Sequence, residues 1–326
     1  MRHVAIRSTG SALPGQVLTN DELIARFGLD VDADWIESRT GIRSRHWLQE
    51  GETTSDLATR AAAAALERAG VRASELDRLI LATITPDRPS PATALTVARK
   101  LGARCPAFDL SAACAGFLYG LDLGAAAVRG GERNVLVVGA DARSRWIDTS
   151  DRRAVVLFAD GAGAALLGPS ERPGLSPVVL GAEGRESPGA HVPAGGTARP
   201  ASRATVEAGE HYLVVDGRSE IFDLFVRFTR EAVERLLERT RSTLDDVDLF
   251  ITHQGNALMV QAVLEDLGID PARAVDNVAH HGNTSGATVP IALDEALRDG
   301  RLGPGKRALL TSVGAGYTFG AALHDF

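Results

Sequence analysis

Phe108-Asp109-Leu110-Ser111-Ala112-Ala113-Cys114-Ala115-Gly116-Phe117 joins a short apolar run to a cluster of small residues, a cysteine and the start of a helical pattern. Phe117, Leu118, Leu121, Leu123 and Val128 recur near helical spacing among alanines and glycines as far as Arg129. The stretch reads as strand, tight turn and helix, with Cys114 at the helix start. Unpaired N–H groups of a first helical turn face the sulfur there and favour the thiolate, which is the nucleophile. A small cysteine packed in a core gives the same pattern. Both readings stand until the rest of the chain is set beside it.

The chain has 326 residues, 44% of them hydrophobic, enough for two domains or one large one around a sizeable core. Two cysteines, Cys105 and Cys114, cannot build a disulfide framework, so the expected setting is cytoplasmic. No stretch reaches the roughly 18 uncharged apolar residues of a spanning helix, and the N-terminus has no continuous apolar segment, so no membrane partner is expected. A formal net charge of -7 without a basic run argues against nucleic acid as the main partner.

Outward from Cys114, Leu79–Thr83 and Asn134–Ala140 read as buried strands, the second apolar enough to be covered on both faces. Val4–Ser8 reads as a first strand, Thr54–Ala69 and Ala92–Leu101 as helices, and Val155–Leu166 as a hairpin. Residues 169–209 shift to Pro, Gly, Ser and Arg and mark a seam, with a flap over 188–208. It divides the chain into halves at 1–172 and 173–326. A long helix then runs from about Arg218 to Arg239, with Ile221, Phe222, Phe225, Phe228, Val233 and Leu236 on one face. The second half repeats the first. Val247–His253 echoes the strand at Leu79–Thr83, Gly282–Gly286 with its adjoining helix echoes Ser111–Arg129, and Arg307–Gly314 echoes Asn134–Gly139.

In a duplicated fold, equivalent element ends meet near the pseudo-twofold axis. Cys114, His253 in His253-Gln254-Gly255-Asn256, and Asn283 in His281-Gly282-Asn283-Thr284-Ser285 occupy such ends. A cysteine, a histidine and an amide converging in a buried place suit acyl transfer. Taken singly, His253 also fits a core histidine and Asn283 a turn residue. His191, His211, His280 and His281 show no pattern that points to chemistry.

At these motifs the chain resembles the thiolase superfamily and, within it, the β-ketoacyl-acyl carrier protein synthase III family. Trp35–Arg43, Asp160-Gly161-Ala162-Gly163 and Gly314–Gly320 extend the resemblance over nearly the whole length. It implies an α/β, thiolase-like duplicated αβαβα layered fold with mixed five-stranded sheets, and a homodimer. It further implies Cys114 as the acyl-carrying nucleophile, His253 and Asn283 as donors to the thioester carbonyl of a decarboxylating malonyl extender, and an oxyanion hole from the backbone N–H groups of Cys114 and Ala315. By the same resemblance Trp35 and Arg152 stack on the adenine of coenzyme A, and Arg39 reaches its phosphates. No metal or tightly bound cofactor is implied, the substrates being acyl-CoA and phosphopantetheine thioesters on an acyl carrier protein.

The sequence departs from the family's pattern in two places. Asp223, Leu258, Glu265 and Asp266 stand where basic residues surround the tunnel mouth in better-known members, which would repel an acidic carrier. Ser90 stands where some members place a large aromatic that closes the acyl pocket across the dimer interface, so a roomier pocket is expected. The leading expectation is decarboxylative condensation. The alternatives are acyl transfer from Cys114 to an alcohol, amine or unusual carrier, and a noncatalytic partner subunit, against which the retained cysteine speaks.

Overall fold

The structure, a computed structural model, describes residues 2–186, 189–215 and 218–326. Its first sheet uses five strands: β1 (His3–Ala12), β2 (Arg78–Ala82), β3 (Ala107–Leu110), β4 (Val135–Ala142) and β5 (Asp160–Ser170), in the spatial order β1-β5-β4-β2-β3. β2 is parallel to both β3 and β4, whereas β5 is antiparallel to β4 and β1. The second sheet uses β6 (Val179–Ala182), β7 (Leu249–Thr252), β8 (Arg307–Gly314) and β9 (Thr318–Asp325), ordered β7-β8-β9-β6 with β7 and β8 parallel. The two halves thus share strand directions as well as sequence echoes.

The expectation of two five-stranded sheets holds for the first sheet only. In the second, the place corresponding to β3 is taken by a single bridge between Phe250 and Ala274. Pro271 shortly before it and the turn at Asn277 after it leave too little extended chain for a strand.

The helices include α1 (Ala33–Thr40), α2 (Thr54–Ala69), α3 (Thr93–Leu101), α4 (Gly116–Arg129), α5 (Arg218–Thr240), α6 (Ala257–Leu267) and α7 (Thr288–Arg298). Side chains alternate across a strand, and the alternation sorts them here. Val135 and Val137 of β4 join a core built on α4, α7 and the inner faces of both sheets, while Leu136 and Val138 pack with α2 and α3 on the outside. On the other side, Phe250, Leu309, Ala321 and Leu323 pack beneath α5 and α6. Two sheets with helices between and outside them give the αβαβα stack.

The middle layer is where the halves grip each other. The turn before α4 lies on the end of β8: a Cβ added to Gly314 would sit 2.7 Å from the Cys114 nitrogen. Reciprocally, the turn before α7 lies on β4, where a Cβ on Gly139 would sit 2.4 Å from the Gly286 carbonyl oxygen. Only glycine allows either approach. Residues 152–158 differ from the expected hairpin strand, since Arg152–Val155 is a helical turn leading into β5. The expected flap at 188–208 begins at Pro188, outside the described residues; 189–215 holds the short strands Ala190–His191 and Val214–Val215 and a helix at Arg203–Glu207.

Candidate active site

Cys114 lies in a tight turn, Ala113–Ala115, whose first residue Ala113 has φ 47°. A non-glycine residue in that region is strained and needs support from its surroundings. The support comes from the second half: Ser312 Oγ donates to the Cys114 carbonyl at 2.8 Å and Thr318 Oγ1 to the Ala112 carbonyl at 2.8 Å. Ser285, in the matching turn before α7, has φ 57°, and its Oγ is 3.6 Å from the Cys114 sulfur.

His253 continues β7, its N–H donating to the Thr311 carbonyl at 2.9 Å. Asn283 is held by backbone bonds on both sides, accepting from Ala159 N and donating to the Leu157 carbonyl, each 2.9 Å. Its Oδ1 accepts from Ser285 N at 2.8 Å, which leaves Nδ2 as the free donor. A Cβ added to Gly255 would lie 2.9 Å from His253 Nε2 and 3.6 Å from Asn283 Nδ2, so both nitrogens border the same small space. Cys114, His253, Asn283 and Ala315 line one cavity of about 160 Å³, walled by Phe158, Phe225 and Tyr317. Positive φ in the turn after β8 falls on Gly316 and Tyr317 and not on Ala315, so its methyl costs no strain.

Protonation sharpens the chemistry. Burial, reinforced by the Arg143 charge, lowers the His253 pKa to about 3, so the ring is neutral. Burial pushes the Cys114 thiol up, against the opposing pull of Arg143 and Ser285. The helix start favours a thiolate, but at this site loss of water outweighs the nearby positive potential and holds the thiol above its ordinary range. A neutral imidazole can take that proton. Thr288 Oγ1 is 2.7 Å from His253 Nδ1 and also donates to the Ser285 carbonyl at 3.1 Å. With the hydroxyl proton on the carbonyl, Nδ1 is the protonated nitrogen and Nε2 accepts. With the hydroxyl turned to Nδ1, Nε2 carries the proton and donates. Thr288 lets one histidine serve both ways.

A second groove, about 340 Å³, is lined by Trp35, Arg39, Arg153, Phe222 and Leu258 and shares Leu157, Val215, Ile221, Asn256 and Met259 with the cavity, so it leads there. Trp35 and Arg39 stand on α1, whose start Asp32 caps by accepting from Trp35 N at 2.7 Å. Arg152 does not line this groove. Its guanidinium carbon lies 5.4 Å from the Trp35 ring centroid, within cation–π reach. A base entering between them must first displace it.

In the single chain Ser90 is exposed in the loop between β2 and α3 and does not line the cavity. Of the four residues expected at the mouth, Leu258 lines the groove, whereas Asp223, Glu265 and Asp266 do not; Arg230 Nε donates to Asp266 at 2.7 Å, and Glu265 accepts from Gln261. Arg143, at the end of β4, lines the cavity and is not among the residues the sequence motifs mark, although a charge directly after an apolar strand run is the signal that could find it. Among the described residues no three His, Cys, Asp or Glu side chains are placed to hold a metal, and no helix is long and apolar enough to cross a membrane.

Two buried neutral histidines predict acid lability. His324 accepts from Ile6 N at 2.8 Å, and burial lowers its pKa to about 4. Folded values below the ordinary 6.5 mean that the unfolded chain binds protons the folded chain refuses. Stability from keeping both rings neutral is complete above about pH 7 and is lost as pH falls through 6.5 towards about 3. Asp160, raised by burial from 3.8 to about 6, works in the opposite sense and offsets one of the two protons in that window. The melting temperature is expected to fall between pH 7 and 5, and less so in His324→Gln; a flat profile would show that the rings are not held neutral.

The profile of the 3-oxoacyl-[acyl-carrier-protein] synthase III family matches residues 108–184, and that of its C-terminal domain residues 237–326. The chain is 45% identical to a β-ketoacyl-[acyl-carrier-protein] synthase III of Roseiflexus castenholzii, with 98% of this chain and 97% of the relative covered. It superposes on the 3-oxoacyl-[acyl-carrier-protein] synthase III of Aquifex aeolicus with a TM-score of 0.89 at 38% identity, covering 99% and 100% of the two chains. On the priming β-ketosynthase from the R1128 polyketide biosynthetic pathway the TM-score is 0.91 at 36% identity, covering 99% and 96%. The chain belongs to the β-ketoacyl-[acyl-carrier-protein] synthase III family, the condensing acyltransferases of the thiolase superfamily.

Proposed function

We propose that this protein loads an acyl group from acyl-CoA onto Cys114 and condenses it with a malonyl extender carried on the phosphopantetheine of an acyl carrier protein. The observation that carries the reading is the shared cavity of a buried thiol, a neutral histidine and an amide donor. In the first step the Cys114 sulfur attacks the thioester carbon, His253 Nε2 takes its proton, and the backbone N–H groups of Cys114 and Ala315 hold the oxyanion. As the tetrahedral centre collapses, the proton passes to the departing CoA thiolate. The acyl group is now on Cys114 and free CoA leaves.

In the second step the extender's thioester carbonyl lies against Asn283 Nδ2 and, with Thr288 turned to Nδ1, His253 Nε2–H. As CO₂ departs, negative charge grows on that oxygen, and donors already in place stabilise it where it develops. The resulting carbanion attacks the acyl-Cys114 carbonyl, and the thiolate leaves, giving the β-ketoacyl product. Because CO₂ leaves neutral, a neutral pair of donors suits this step better than a cation beside the carboxylate.

The groove past Trp35 and Arg39 is the proposed path for coenzyme A and for the carrier's phosphopantetheine, with Arg39 and Arg153 at hand for phosphate. The acidic mouth residues give the acyl-to-alcohol alternative its support, and the pairing of Asp266 with Arg230 removes part of it. A cytoplasmic homodimer completes the reading: among the described residues β3 is an unpaired sheet edge, and α3, which packs against it, exposes Leu95, so a second copy can extend the sheet there. Intact-mass measurement after incubation with an acyl-CoA panel, then a chase with malonyl-acyl carrier protein, tests this. Acyl mass gained and then lost with release of CO₂ is expected, from a particle of twice the 34.3 kDa chain mass by light scattering. Loading without decarboxylation would leave only transfer to another acceptor, and a monomer would remove the dimer.

A further inference from the structure

Arg143 is 2% exposed and lines the Cys114 cavity. Its guanidinium carbon lies 5.0 Å from the Phe158 ring centroid, but its buried Nε and Nη1 have no hydrogen-bond partner. The nearest carboxylate along the chain is fully engaged elsewhere. Asp141 accepts from Thr83 Oγ1, Ile84 N, Thr85 Oγ1 and Gly286 N, and among the described residues no acid pairs with Arg143. A cation kept dry without a counter-charge is costly, and such groups are found paired or bound to ligand. The other deeply buried arginine differs in degree: Arg45 leaves its Nε unpartnered but spends both terminal nitrogens on the carbonyls of Leu18 and Val156, and it does not line the cavity.

We propose that Arg143 is an anion-binding subsite for the acyl donor, and that the protein takes acyl groups ending in a carboxylate, the half-thioesters of short dicarboxylic acids with coenzyme A. This rests on the acyl-transfer reading of Cys114 and adds the class of acyl group. An arginine offers a carboxylate both a charge and N–H donors, and here the buried Nε and Nη1 are without partners. The malonyl extender could offer the same chemistry, yet a cation on its carboxylate would stabilise the ground state and oppose the departure of neutral CO₂. The loading step is a thioester exchange: the bond from acyl carbon to CoA sulfur breaks, the bond to Cys114 sulfur forms, and the thiol proton ends on CoA. The distal carboxylate is unchanged.

Loading of Cys114 by succinyl- and glutaryl-CoA is compared with loading by neutral acyl-CoAs of matched length, by intact mass over time, in the full chain and in Arg143→Met. Because Arg143 also acts on the Cys114 thiol, the readout is the ratio of rates between donors within each protein. The wild-type ratio is expected to favour the carboxylated donors by about 10- to 100-fold, and the methionine variant to lose or reverse it. Loading of the variant by neutral donors serves as its folding control, and Arg143→Lys, which keeps the charge without the fork, should restore part of the preference if the methionine variant does not fold. A wild type that loads neutral donors equally well overturns the proposal while leaving acyl transfer intact. Arg143→Met raising the KM for malonyl-acyl carrier protein with an unchanged donor ratio would assign the arginine to the extender and overturn it too. No loading by any donor would bring down the acyl-transfer reading and this one together.

Discussion

Asn283→Asp is expected to load acyl groups at nearly the wild-type rate and to lose condensation by at least about 10²–10³-fold, the usual effect of removing one donor to a developing oxyanion. Aspartate keeps the Oδ1 that accepts from Ser285 N, so the turn stays in place, while the Nδ2 donor is replaced by a carboxylate oxygen that can only repel a developing oxyanion. Cys114→Ala is the opposite case. It cannot gain acyl mass, yet retains His253 and Asn283, so it is expected to decarboxylate malonyl thioester without forming a carbon–carbon bond. His253→Ala should impair both steps, because the ring receives the thiol proton in one and donates in the other. Intact-mass loading and CO₂ release, measured on all three variants, separate these outcomes. If Asn283→Asp lost loading in proportion to condensation, or if Cys114→Ala still became labelled, the assignment of roles would fail.

Gly314→Ala should nearly silence loading without altering any reacting group. The added carbon would stand 2.7 Å from the Cys114 nitrogen, 2.9 Å from Thr318 Oγ1 and 3.0 Å from the Ala112 carbonyl oxygen. Two of these are backbone atoms of the turn that aims the nucleophile, and the third is the β9 hydroxyl that donates to its Ala112 carbonyl, so none can move aside as the tip of a flexible side chain would. Displacing a reacting group by about 1 Å can cost about 10²-fold, so a loss of that order in loading rate is expected. Ala315→Gly, one residue on, gives the contrast, since Ala315 has no left-handed φ and its methyl serves no turn; near-wild-type loading is expected. Circular dichroism and melting temperature establish that Gly314→Ala is folded. Wild-type loading by a folded Gly314→Ala would show that the approach of β8 to Cys114 is not needed to position it.

The residues proposed to react are legible in the sequence because chemistry selects their types and the fold selects their places. A cysteine at a helix start, a histidine ending an apolar strand and an asparagine between small residues stand out locally. What is not legible depends on the third dimension. Arg143 looks in sequence like its neighbours Arg145 and Arg152, and only packing reveals that, of the three, it is the one buried with unpartnered nitrogens. The upward push on the Cys114 thiol is hidden for a related reason: the helix start is local, whereas the water lost by burial is not. The expected place of Ser90 at the acyl pocket depends on an interface that one chain cannot form. The missing fifth strand of the second sheet reflects chain length between Pro271 and Asn277 that the duplication pattern does not reveal.

The interlocked turns at Cys114 and Gly286 place every reacting group on a rigid strand or helix end, fastened by both halves at once. Alignment of nucleophile and donors is thus a property of the frame and needs no closing lid. On the proposed reading, choice of substrate falls to other places: to Arg143, to the groove past Trp35, and to Gly189, Ala190 and Val215 along the cavity wall. Such a division lets the menu of acyl groups drift by substitution at the walls while the carbon–carbon bond-forming apparatus stays fixed.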